Sequence, residues 1–102
     1  KEEGAIDWRA AAQTIHNRIR GFQPWPGGYT RFRGQQLHIW KSRVLAGESG
    51  ASGQLLTHPL RAVCGEGALE LIEVQLEGRK RISAAAFENG QRIAAGDILG
   101  EL

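Results

Sequence analysis

Arginine and lysine residues dominate the chemistry that the first half of this sequence could perform. Residues 8 to 47 contain seven bases and no acid, a local charge of +7, although the whole chain of 102 residues carries only +2. Arginine supplies ten of the thirteen bases, and its planar guanidinium suits phosphate oxygens and stacks on aromatic rings. Nucleic acid is therefore the leading class of partner, with a solvated basic face as the alternative.

A second basic cluster consists of Arg79, Lys80 and Arg81, directly after Gly78. It stands out because residues 48 to 102 otherwise carry eight acids against two other bases. The cluster is either a solvated turn or a compact site for phosphate contact. We predict that nucleic-acid contacts come from eight bases of the two regions. They are Arg20, Arg31, Arg33, Lys41, Arg43, Arg79, Lys80 and Arg81.

Three further polar or aromatic residues have two possible roles each. Trp25, between two prolines, could stack on a nucleotide or plug the underside of a turn, and the plug is the simpler interpretation. Trp40 precedes Lys41 in a candidate strand, where it is either an exposed platform among bases or a packed residue. Gln75 fits a hydrogen-bonding position at the edge of the core better than a base-reading one.

No set of residues indicates catalysis or metal binding, so we predict no catalytic residue, no metal ligand and no cofactor held by this chain. His16, His38 and His58 have no acidic sequence neighbour or repeated spacing that would mark a zinc site. Cys64 follows Val63 in an apolar segment, which favours an inert buried thiol. A single cysteine excludes an internal disulfide and fits a cytoplasmic setting, and no apolar run is long enough to span a membrane.

The first element that must position the basic residues is a helix over about residues 8 to 20. An apolar stripe at helical spacing is formed by Trp8, Ala11, Ala12, Ile15 and Ile19. We expect Asp7 to cap the first turn and Gly21 to provide a left-handed stop. The segment from 22 to 28, with two prolines and two glycines, then reverses the chain.

Five short segments beyond this turn have the pattern of β-strands. They lie near residues 29–33, 36–45, 53–57, 60–64 and 68–76. The predicted fold is mainly β, a small five-stranded OB-like antiparallel barrel preceded by one α-helix. Within the last strand, the apolar residues switch from one set of alternate positions to the other, which predicts a β-bulge near Leu71 and Ile72. The small and polar residues 46–53 predict a mobile loop.

The C-terminal part predicts a short helical turn over residues 83–89 and a final closing segment. Ser83 can cap the helix, and Asn89 with Gly90 would end it. Ile93, Ile98 and Leu99 form a last apolar segment that could close against the barrel. The length suits one domain, which we place at residues 7–102, with residues 1–6 as an interdomain linker.

Four stretches in order resemble the C-terminal domain of methionyl-tRNA formyltransferases, over nearly the whole chain. They read IDW at 6–8, IRGFQPWPGGYT at 19–30, LHIW at 37–40, and VQLEGRKRISA at 74–84 followed by FENG at 87–90. The resemblance implies an OB-like domain that follows an N-terminal catalytic domain. The N-terminal domain would bind 10-formyltetrahydrofolate and formylate initiator methionyl-tRNA for translation initiation. The C-terminal domain would be a monomer that holds the tRNA by a basic surface.

Two other hypotheses remain open from the sequence. The chain could be the equivalent domain of a related formyltransferase or formyl-folate hydrolase with a small-molecule substrate, where the barrel only packs on the catalytic domain. It could also be a protein-interaction barrel without a ligand. Under either hypothesis the basic residues would be solvated rather than bound to phosphates.

Overall fold

The computed structural model describes residues 5–21, 28–94 and 96–100 of the chain. These ranges contain two helices and six strands. In chain order they are α1 (Ala12–Gly21), β1 (Gly28–Phe32), β2 (Gln35–Leu45), β3 (Leu55–Leu56), β4 (Arg61–Val63), β5 (Ala68–Leu76), β6 (Ile82–Ser83) and α2 (Ala84–Gln91). The predicted turn around Trp25 lies outside the described residues.

Helix α1 begins at Ala12 rather than at Trp8, so the predicted start is wrong. The Ala12 amide donates to the carbonyl of Glu66 at 2.9 Å, and the Gly65 amide donates to the carbonyl of Ala10 at 2.9 Å. These bonds hold the chain beside the turn between β4 and β5 and prevent an earlier helix. Asp7 instead caps the preceding turn, where its carboxylate accepts from the Arg9 amide at 3.0 Å.

The other end of α1 also differs from the prediction. Gly21 is the last helical residue, and its φ is not positive. The predicted left-handed stop at this glycine is therefore wrong. Most of the predicted apolar stripe is confirmed, because Ala12, Ile15 and Ile19 of α1 are buried, as is Trp8 before the helix. Ala11, which also precedes the helix, is only partly buried. The Trp8 indole also donates to the Thr30 hydroxyl at 2.9 Å, which satisfies two polar groups inside the core.

All five predicted strands are present, and they pair antiparallel in the order β1-β2-β5-β4-β3. The two-residue strand β6 adds a further pairing to β5. The C-terminal segment bonds to both ends of the sheet. The Leu99 amide donates to the carbonyl of Gly53, just before β3, at 2.8 Å, and the Gly100 amide donates to the carbonyl of Arg31 in β1 at 2.9 Å. The antiparallel sheet itself is open, and this segment lies between its two ends with Leu99 buried. The arrangement is consistent with a small OB-like domain and with the predicted closing segment.

The predicted bulge is confirmed where β5 pairs with β2. The register is regular up to Ile39 opposite Val74 and from Ser42 opposite Leu71, and it is irregular between those pairs. Leu71 and Val74 are both buried although they are three positions apart, so the alternation of inward-facing side chains changes phase here. Ile72 is left outside the core and is 38% exposed.

Helix α2 covers the end of the barrel that contains Phe32. The Phe87 ring packs edge-on against Phe32 with centroids 5.0 Å apart. Ser83 is the N-cap, as predicted, and its hydroxyl accepts from the Ala86 amide at 3.1 Å. The predicted end at Asn89 and Gly90 is wrong, because Arg92 is the left-handed residue, with φ 52°. Its carbonyl accepts from the Arg33 guanidinium at 3.4 Å, a long-range contact that no local pattern reveals.

Candidate nucleic-acid interface

Two of the predicted site residues lie on β2 and face acidic residues of β5. Arg43 contacts Glu70 at 2.6 Å, and Lys41 lies 3.9 Å from Glu73. Both are cross-strand neighbours in the sheet register, where opposite charges stabilise the pairing. The Glu70 and Glu73 side chains are 15% and 32% exposed, so both carboxylates are partly covered.

Arg33 lies at the turn between β1 and β2, where it fastens the C-terminal part of the chain. Its guanidinium contacts the Asp97 carboxylate at 2.8 Å and the Gln91 carbonyl at 3.0 Å. The hydrogen bond from Arg33 lowers the pKa of Asp97, and Asp97 in turn raises the pKa of Arg33. Arg31 is exposed nearby and reaches the Gly34 carbonyl at 3.4 Å. Contact of these two residues with nucleic acid stays a prediction.

The basic turn after β5 is held in place by a chain of contacts. Arg81 pairs with Glu73 at 2.7 Å and lies over the Trp40 ring, 4.3 Å from its centroid. The Trp40 indole donates to the Gln75 side chain at 2.9 Å, and that amide donates to the Arg79 carbonyl at 2.7 Å. Trp40 is therefore half-buried, with one face covered, and the predicted hydrogen-bonding role of Gln75 is confirmed.

Arg79 and Lys80 occupy the most accessible part of this turn. Both are exposed, and neither side chain forms a hydrogen bond or ion pair with the residues that the structure describes. Gly78 before them has φ +77°, a conformation that suits glycine and makes the turn tight. The turn therefore presents two cations to solvent from a backbone that Gln75 fixes.

A groove of about 300 Å³ lies between α1 and β2. It shares Trp40 with the basic turn, because the Arg81 guanidinium lies over that ring. It is lined by His16, Ile19 and Arg20 of α1, by Trp40, Lys41 and Ser42 of β2, and by Ile72 of β5. Arg20 bonds only to the neutral Asn17 side chain, at 3.1 Å, so no carboxylate among the described residues neutralises it. The helix and the sheet thus bring Arg20 and Lys41 together, which their sequence distance does not reveal.

The floor of the groove contains a contact between His16 Nδ1 and the Ser42 hydroxyl at 2.8 Å. Burial lowers the pKa of His16, and the charge of Arg20 lowers it further. The imidazole is therefore neutral at neutral pH. Sequence reasoning did not assign His16, Ser42 or Ile72 to a site. The only sequence signal near these residues was the change in apolar alternation at Ile72, which predicted a bulge rather than a site.

Two other predicted features concern possible reactive groups. Burial raises the pKa of the Cys64 thiol to about 11, which confirms the inert thiol. His58, by contrast, does have an acidic neighbour in space, because its Nδ1 lies 3.1 Å from the Glu88 carboxylate. This pair links the turn before Pro59 to α2 and borders a cavity of about 470 Å³.

The family model described as "Formyl transferase, C-terminal domain" matches residues 1–92. The chain belongs to this formyl transferase C-terminal domain family. Membership confirms the resemblance carried by the four sequence stretches.

Curated relatives of this formyl transferase C-terminal domain are named methionyl-tRNA formyltransferase. The protein from Solibacter usitatus is 62% identical over 99% of this chain, and the one from Koribacter versatilis is 46% identical over 100%. The protein from Geobacter metallireducens is 45% identical over 98% of the chain. The chain spans about one third of the length of these relatives, 33% in each case.

The residues at the end of the predicted linker lie beside β1. Ala5 and Ile6, at the end of the predicted linker, run beside Tyr29 of β1, with the Ile6 amide 3.0 Å from its carbonyl. The linker boundary at residue 6 stays a prediction.

In the part of the chain that the structure describes, no helix is long and apolar enough to cross a membrane.

Proposed function

We propose that this chain is the tRNA-holding domain of a methionyl-tRNA formyltransferase. Two relatives with that name align with 99% and 100% of this chain, which corresponds to 33% of their own length. The basic turn and the groove beside it supply cations at one side of the barrel. A domain with these properties is suited to hold a polyanion while chemistry takes place elsewhere.

The division of labour that we propose is supported by the family and by the relatives named methionyl-tRNA formyltransferase, of whose length this chain spans 33%. An N-terminal catalytic domain of the same polypeptide would bind 10-formyltetrahydrofolate and transfer the formyl group to the amino group of initiator methionyl-tRNA. The parent protein would act as a cytoplasmic monomer in translation initiation. The present chain contributes binding, because its one thiol has a pKa of about 11 and a thiol rather than a thiolate is a poor nucleophile.

The single observation that carries the proposal is the exposure of Arg79 and Lys80 on a fixed turn. Arg81 beside them is committed to Glu73 and Trp40, whereas Arg79 and Lys80 are open to an anion. Lysine and arginine contacts to phosphate fix the position of a nucleic acid but do not read its bases. We therefore expect weak binding with little preference among tRNAs.

A second candidate function is supported by the pairing of β2 with β5. Glu70 and Glu73 neutralise much of the charge that β2 contributes, which suits a domain that only packs against a catalytic domain with a small-molecule substrate. This alternative leaves the basic turn without a partner, and for that reason we favour the tRNA-holding function.

The test is the binding of tRNA to this 102-residue chain at several salt concentrations. We expect a dissociation constant on the order of 10⁻⁴ to 10⁻⁶ M at physiological salt and a logarithm of the binding constant that falls linearly with the logarithm of salt. Initiator and elongator tRNAs should bind alike. Absence of binding even at low salt would contradict the proposal and favour the packing domain.

A further inference from the structure

The groove between α1 and β2 is larger than a simple phosphate contact requires. Its volume of about 300 Å³ lies at the lower end of small-molecule pockets. We infer that the groove takes one unpaired nucleobase of a bound RNA, with the adjacent phosphates on Arg20 and Lys41. This inference rests on the proposed function, and it adds the class of ligand group that the groove recognises.

The walls of the groove offer apolar surface to a flat ring. Ile19 is buried at its base, and Trp40 and Ile72 border it. Ile72 is one of two large hydrophobic residues that are exposed among the described residues, the other being Ile82, and each is 38% exposed. A base that enters the groove would cover Ile72, and removal of this apolar surface from water favours binding.

The floor supplies hydrogen-bonding groups for the edge of a base. His16 bonds to Ser42 through Nδ1, so its second ring nitrogen, Nε2, can donate to or accept from a base according to the tautomer. Because burial and Arg20 lower the pKa of His16, the ring stays neutral and adds no repulsion to Arg20. A neutral polar floor under apolar walls suits a base better than it suits a phosphate.

The rim supplies the charge that a flanking phosphate needs. Arg20 and Lys41 line the groove, and Arg81 lies over the ring of Trp40, which also lines it. Lys41 and Arg81 share the single carboxylate of Glu73. Three cations with one carboxylate leave an excess of two positive charges. The rim therefore attracts the backbone of a nucleotide whose base is in the groove.

The experiment compares two short single-stranded RNAs that differ only by one base. The first is a five-nucleotide RNA, and the second has an abasic nucleotide at its centre, so both carry the same phosphates. One stacked base contributes about 1–3 kcal/mol, so we expect the abasic RNA to bind this chain about 5-fold to 150-fold more weakly. Fluorescence anisotropy of labelled RNA measures both affinities.

Two matched variants assign the effect to the groove. Ile72→Gln should reduce the difference between the intact and abasic RNA, because it removes the apolar wall but no charge. Ile82→Gln changes an isoleucine of equal exposure outside the groove lining and should leave the difference intact. Equal effects of the two variants would overturn the assignment to this groove.

The outcomes separate this inference from the proposed function. If tRNA binds with the expected salt dependence but intact and abasic RNA bind equally, the groove holds no base and only the proposed function stands. If neither tRNA nor the short RNAs bind at low salt, both fail. A selective loss with the abasic RNA that disappears in Ile72→Gln supports the inference.

Discussion

At the scale of single residues, ion pairs decide which bases remain accessible to an anion. Arg43 and Arg81 each contact a β5 carboxylate, and Arg33 contacts Asp97. Arg79 and Lys80 have no such contact among the described residues. Charge counting along the sequence found all of these bases. It could not separate the two groups, because the cross-strand pairs depend on strand register.

The contact between Arg33 and Asp97 gives a prediction for stability. The folded pKa of Asp97 lies below its ordinary value, so the contact stabilises the fold at pH values above the unfolded pKa and is lost as pH falls through the folded pKa. Asp97→Asn should lower the free energy of unfolding by about 1 kcal/mol near neutral pH. Urea unfolding should show this difference shrinking as the pH falls below about 4.

The control for this prediction is Asp7→Asn. Asp7 also pairs with an arginine, but the Arg9 and Asp7 side chains are 83% and 54% exposed, so solvent weakens the contact. The Asp7 variant should be less destabilised than the Asp97 variant. A deficit in Asp97→Asn that is the same at acidic and neutral pH would show that the ion pair is not its cause.

At the scale of elements, the sequence predicted those whose pattern is local. The apolar stripe of α1, the five strands, the bulge in β5 and the cap at Ser83 all follow from side-chain periodicity or from one polar residue. The start of α1 and the end of α2 were wrong because Glu66 and Arg33, both distant in sequence, bond to those residues.

The contact between the start of α1 and the turn after β4 gives a second prediction. A Cβ atom on Gly65 would overlap the carbonyl oxygen of Arg9, whereas one on Gly90 in α2 would meet no atom within 4 Å. Gly65→Ala should lower the free energy of unfolding by about 1–3 kcal/mol. Gly90→Ala should raise it by about 0.5 kcal/mol, because glycine is unfavourable in a helix.

Thermal or urea unfolding of the two glycine variants checks this prediction. Each variant adds one methyl group to an exposed glycine, so the comparison isolates backbone proximity from side-chain chemistry. If Gly65→Ala raised the free energy of unfolding as Gly90→Ala does, Arg9 and Ala10 would be able to move away from the turn without cost.

At the scale of the whole molecule, the fold redistributes the charge that the sequence presents as two blocks. The acidic second half supplies the β5 residues that neutralise part of the basic first half. Among the described residues, the bases without a carboxylate partner include Arg79 and Lys80 in the turn, Arg20 at the groove, and Arg31 and Arg92 elsewhere on the surface. The sequence could indicate a nucleic-acid partner and the family, whereas the groove required α1 and β2 to be placed side by side.

The side-chain contacts of each base decide which variants can test the basic turn. Arg81 contacts Glu73 and Trp40, so its loss would disturb the barrel as well as the charge. Arg61 is unsuitable as a control because it binds Glu48 at 2.9 Å and two carbonyls of the turn before β4. Arg92 is exposed, and its side chain bonds to none of the described residues. Arg92→Ala is therefore the better control.

The salt dependence of tRNA binding by the double variant Arg79→Ala, Lys80→Ala tests the central claim most directly. If both residues contact phosphates, the logarithmic salt slope should fall in magnitude by about 1–2 units relative to the unchanged chain, with weaker binding at low salt. Arg92→Ala should keep both the affinity and the slope. A double variant that binds tRNA with the same slope as Arg92→Ala would show that the basic turn makes no phosphate contact.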